Sequence, residues 1–103
     1  MPFGLKEETV KKIVEVFGKH EEIEKAVIYG SRAKGNYSNG SDIDIVLFGD
    51  ALNLNVLHEI ENEIDDLLLP YTIDLSIYHN IKNEKLLEHI NRVGIEFYAN
   101  LMA

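Results

Sequence analysis

Between Asp42 and Tyr78 the chain spells strand, helix, strand. "DIDIVLF" alternates and then turns continuously apolar, the pattern of a central strand. Leu54, Leu57, Ile60, Ile64, Leu67 and Leu68 recur at helical spacing, with Asn53 or Asn55 as a cap and Pro70 beyond the end. "YTIDLSIY" alternates again. A full helix between two strands implies a crossover, so the two strands are expected to be parallel and adjacent.

Around this unit the pattern continues. Leu5, Thr9, Ile13, Val16 and Phe17 predict an opening helix stopped near Gly18, and "KAVIYG" a short strand. "SRAKGNYSNGS" reads as a loop with one helical turn after Ser31. Asn80 or Asn83 caps a last helix whose inward face is Leu86, Leu87, Ile90 and Val93, ended by Gly94. "IEFYANLMA" is an apolar tail without a clear period, expected to pack back on its own sheet, with contact to a partner as the other use for it. The expected fold is α/β (α+β in some schemes): one domain over residues 1–103, with a small mixed sheet of about three strands flanked by about four helices.

The net charge of −8 disfavours unaided binding to nucleic acid, yet leaves a nucleotide substrate open, because a divalent metal can bridge carboxylate and phosphate. With no cysteine there is neither a disulfide framework nor a thiolate metal site. No run is long and apolar enough to cross a membrane and no signal peptide is visible, so the cytoplasm is the default location. The four histidines form no close ligand pair and read as surface or partly buried structural residues.

Strand residues two apart share a face, so Asp42 and Asp44 project together, roughly 6–7 Å apart along the backbone. Two ionised carboxylates this close repel unless a cation lies between them, and Mg²⁺ uses one or two carboxylates plus substrate phosphates. If the two strands are neighbours, Asp74 in "IDLSI" joins them. Paired acids at a strand start are commonly just solvated; acids on two strands that pair, among residues that prefer burial, favour a site. Gly30 allows a sharp turn or close approach to a ligand, and Ser31 offers a hydroxyl and an N–H to an anion. Arg32 and Lys34 are candidate phosphate contacts. The loop is neither a Walker P-loop nor an EF-hand.

"GSRAKGNYSNGSDID" fits the Gly-Ser, ten-residue gap, Asp-x-Asp signature of the polymerase-β-like nucleotidyltransferase superfamily, and the chain resembles its minimal members from about Leu5 to Tyr98. Four fixed residues match by chance on the order of once in a thousand such chains. The resemblance implies the nucleotidyltransferase fold, with Gly30 and Ser31 holding a nucleoside triphosphate. It implies two Mg²⁺ ions on Asp42, Asp44 and Asp74, and ATP as substrate. It further implies a helical HEPN toxin as partner, with one of its tyrosine hydroxyls as acceptor and this chain as the antitoxin. A homo- or hetero-oligomer is compatible with it. The competing reading is a non-catalytic module that neutralises or scaffolds a HEPN-type protein by contact.

Overall fold

The computed structural model describes residues 2–102. In chain order it contains α1 (Glu7–Gly18), β1 (Lys25–Tyr29), α2 (Gly30–Lys34), β2 (Ile43–Phe48), α3 (Leu54–Asp65), β3 (Ile73–Ile77), α4 (Glu84–Val93) and β4 (Ile95–Ala99). Short 3₁₀ turns lie at Pro2–Gly4 and Tyr78–Asn80. The mixed sheet runs in the order β3-β2-β1-β4. As expected from the crossover, β2 and β3 are parallel neighbours, with Asp44 opposite Asp74. β1 is antiparallel to both β2 and β4.

Alternation divides the sheet into two faces. Ile28, Ile45, Leu47, Leu75 and Ile77 point to the larger core, against Ile13 and Phe17 of α1 and Ile60 and Ile64 of α3. Tyr29 and Val46 point the other way and are covered by Ile90 of α4. Fully burying an isoleucine or a phenylalanine is worth about 1.5–3 kcal/mol, so the first face carries most of the stability and the second is free to hold polar groups.

Asn53 caps α3, its side chain accepting from the Val56 N–H at 2.9 Å. Asn83 caps α4, accepting from the Lys85 and Leu86 N–H groups at 3.0 and 3.1 Å. Asn83→Ala should therefore lower stability by about 1 kcal/mol. The check is a shift of the urea midpoint at constant slope.

Three details differ from the sequence expectation. The sheet has four strands rather than three, because the tail forms β4. A register shift between Ala26 and Val27 leaves Phe97 unpaired in the ladder, and both Phe97 and Tyr98 reach the Phe17 ring. Such a bulge breaks the period-2 signal that marks a strand. Helix α3 stops at Asp65, and Leu68 lies in a left-handed turn (φ 54°), 88% exposed instead of inward. Leu54, at the first position of α3, is also exposed. Among the described residues, no helix is long and apolar enough to cross a membrane.

Candidate active site

The face under α4 gathers the acids. Asp44 is flanked on one side by Tyr29 of β1 and on the other by Asp74 of β3. Residues directly opposite in a ladder share a face, so Tyr29, Asp44 and Asp74 form a row across three strands. Asp42 lies one residue before β2, on the same side as Asp44 by the strand period. Asp42 and Asp74 are exposed and Asp44 is partly buried.

Burial pushes the Asp44 carboxyl above the usual carboxylate range, and the negative charges of Asp74 and Asp42 push it further. His89, on α4, opposes this and favours the ionised form. The Tyr29 phenol is raised too, first by burial, then by Asp44 and Asp74. Ser76 pulls the phenol the other way, although Ser76 Oγ is buried without a well-formed hydrogen bond of its own. The charges of Asp74 and Asp42 thus act on Asp44.

Gly30 stands against this row. Its φ of +72° is a left-handed conformation that side chains rarely adopt, and a Cβ there would fall on the Asp44 carboxylate. The turn from β1 into α2 therefore passes directly beside the acid. Ser31 follows in α2, partly buried, and Lys34 is exposed in the last turn of α2.

Arg32 stands apart from the phosphate role expected of it. It is 2% exposed, and its guanidinium donates to backbone carbonyls: Phe3 at 2.9 Å, Asn39 at 3.3 Å, and Ser41 twice, at 2.9 and 3.1 Å. The rings of Tyr37 and Tyr71 lie 5.2 and 5.1 Å from its Cζ. Donors so committed are not available to a phosphate.

Do these residues suit a divalent metal? Hard cations take oxygen ligands, and Asp44, whose ionisation is opposed by burial and by the charges of Asp74 and Asp42, gains from a cation placed among the three carboxylates. Among the described residues no three His, Cys, Asp or Glu side chains are drawn together tightly enough to enclose an ion unaided. Mg²⁺ typically takes one or two carboxylates and completes its shell from waters and substrate phosphates.

Sequence reasoning missed Tyr29, Ser76 and His89. The first two were findable: Tyr29 adjoins Gly30, and Ser76 lies two residues after Asp74 on the same face. His89 reaches the row from a separate helix, at a distance in sequence that no local pattern encodes; its ring meets that of Tyr29 edge-on at 6.1 Å.

The chain matches the model of the family "Polymerase beta, Nucleotidyltransferase" over residues 11–101, and it belongs to that family. No curated protein matches it at a significant level. Among solved structures it is similar to a chain in the crystal structure of a toxin–antitoxin with AMP-PNP, at 19% identity and a TM-score of 0.69. That match covers 95% of this chain and 77% of the other. The tri-AMPylated Shewanella oneidensis HEPN toxin in complex with MNT antitoxin gives 16% identity and a TM-score of 0.67, covering 95% and 76%. The toxin–antitoxin MntA-HepT gives 16% and 0.66, covering 94% and 75%. At these identities the likeness is one of fold.

Proposed function

We propose that the chain transfers AMP from ATP to a hydroxyl, that the hydroxyl is a tyrosine of a HEPN-type toxin, and that the transfer makes this chain the antitoxin. The observation that carries the reading is the β2–β3 register, which sets Asp44 beside Asp74 with Gly30 packed on Asp44.

Each residue has a role that its place supports. Gly30 and Ser31 hold the triphosphate, because only a residue without Cβ lets that turn lie so near the carboxylates. Asp42, Asp44 and Asp74 hold Mg²⁺, which when bound neutralises phosphate charge and polarises the reacting phosphoryl group. Asp74 orients the acceptor hydroxyl and draws off its proton as the oxygen attacks the α-phosphorus and pyrophosphate leaves. β3 is an edge strand and Asp74 is exposed, so a hydroxyl on a protein surface can approach it from solvent. Lys34, exposed at the end of α2, meets the phosphates in this reading in place of Arg32. The solved complexes described above, one with AMP-PNP and one with an AMPylated HEPN toxin, support the choice of nucleotide and acceptor.

The reading is tested with Asp42→Asn, which removes a ligand and little volume. With ATP labelled at the α-phosphate and the neighbouring gene's product as acceptor, the variant should label it on the order of a thousandfold more slowly than the wild type, with an unchanged circular dichroism spectrum. Labelling at the wild-type rate would remove Asp42 from the site.

A further inference from the structure

Arg32 is a buried cation with no carboxylate in ion-pair reach among the described residues. Burying a charge is costly, and a hydrophobic residue of similar volume often serves stability as well or better. The arrangement around Arg32 shows what the charge does instead. Its planar fork ties together four pieces of chain. Arg32 itself sits on α2, one residue after Ser31. Its donors hold the carbonyls of Asn39 and Ser41, at the end of the loop that leads into β2, and of Phe3 in the first turn. Tyr71, whose ring lies against the guanidinium, belongs to the lead into β3. Two of its bonds converge on the Ser41 oxygen, the carbonyl just before Asp42. Just after Asp42, the Ile43 N–H donates to the Thr72 carbonyl at 2.9 Å. The backbone of Asp42 is thus pinned on both sides, once by Arg32 and once by the lead into β3.

We propose that Arg32 is a positioning residue: by gripping the Ser41 carbonyl it holds Asp42 and Asp44 in fixed relation to the Gly30–Ser31 turn and to Asp74. A guanidinium suits this task because its donors form a rigid fork and its face stacks on aromatic rings, whereas an ammonium is a single flexible point charge. The consequence for metal rests on the nucleotidyl-transfer reading; the grip on the loop does not.

Two variants separate the possibilities. Arg32→Met removes charge and fork; Arg32→Lys keeps the charge and the stem and loses the fork. Thermal unfolding, amide hydrogen exchange and Mn²⁺ calorimetry are measured on each. In Arg32→Lys, exchange across residues 38–43 should quicken by at least about tenfold while the amides of β1 keep wild-type protection. The Mn²⁺ dissociation constant should rise by about tenfold, the effect of removing a group that orients ligands. Lysine should not rescue relative to methionine. Where Arg32→Met does not fold, Arg32→Lys carries the test. Unchanged exchange across 38–43 in Arg32→Lys would overturn the clamp, and so would wild-type Mn²⁺ affinity once that segment has loosened. Failure of the wild-type chain to bind Mn²⁺ would instead overturn the metal assignment, and the exchange measurement would still decide the clamp.

Discussion

Asp44→Asn should destroy transfer and, at neutral pH without metal, make the chain slightly more stable. Loss of a metal ligand is expected to slow the reaction on the order of a thousandfold. The gain in stability follows from the sign of the Asp44 shift. Its carboxyl titrates higher in the folded chain than in the unfolded one, through burial and the charges of Asp74 and Asp42. The folded chain therefore holds this proton more tightly. The stabilisation is complete below the unfolded pKa and is lost as pH rises through the raised folded pKa. Above that range the ionised Asp44 is a burden that neutral, isosteric asparagine removes. Because Asp44 is only partly buried, water screens the effect and the gain is roughly 1 kcal/mol or less, a few degrees in Tm. Mg²⁺ should reverse the order: it stabilises the wild type by binding the folded state alone and does much less for the variant. Melting curves of both proteins, with and without Mg²⁺, at acid and neutral pH, check the stability effects, and labelling from ATP carrying an α-phosphate label checks the loss of transfer. A variant less stable than wild type at neutral pH without metal would contradict it.

The second large effect is expected at Gly30, where a neighbouring glycine provides the control. Gly30 and Gly35 both have positive φ, +72° and +88°. A Cβ on Gly35 meets nothing within 4 Å, whereas one on Gly30 overlaps the Asp44 carboxylate. Both alanine variants should lose about 1–2 kcal/mol to the left-handed backbone. Only Gly30→Ala should also lose transfer, by at least about a hundredfold, because Asp44 or the turn must shift by enough to spoil the alignment. Urea unfolding and labelling rates measured on the pair separate strain from displacement. Equal activity in the two variants would show that the Gly30 turn does not need to lie against Asp44.

The parts that the sequence disclosed are those governed by short-range periods. "DIDIVLF" and "YTIDLSIY" each place their acids by alternation, and the helix between them favours parallel, neighbouring strands. The approach of Asp74 to Asp42 and Asp44 is therefore legible, while the one-to-one Asp44–Asp74 register is not. The caps at Asn53 and Asn83 are also local. Arg32 reads as a phosphate contact because it is a cation in a glycine- and serine-rich loop, whereas in the fold its donors meet backbone carbonyls. Whether it turns outward or folds back onto carbonyls depends also on Phe3 and Tyr71, which come from separate parts of the chain. β4 was hidden by its bulge, which places Phe97 and Tyr98 near the same ring and erases the alternation. Leu68 fits the helical spacing, but α3 has already ended, and nothing in the periodicity marks that stop.

The central claim is that the acid row and the Gly30–Ser31 turn work as one nucleotidyl-transfer site. It is tested most directly by incubating the wild-type chain, Mg²⁺ and the neighbouring gene's product with ATP labelled either at the α- or at the γ-phosphate. The account predicts that α-label becomes covalently attached to a tyrosine of the acceptor, while γ-label leaves in pyrophosphate. Retention of γ-label on the acceptor would make the reaction a phosphoryl transfer. Tight association with the acceptor but no label from either ATP would leave a binding module in place of an enzyme.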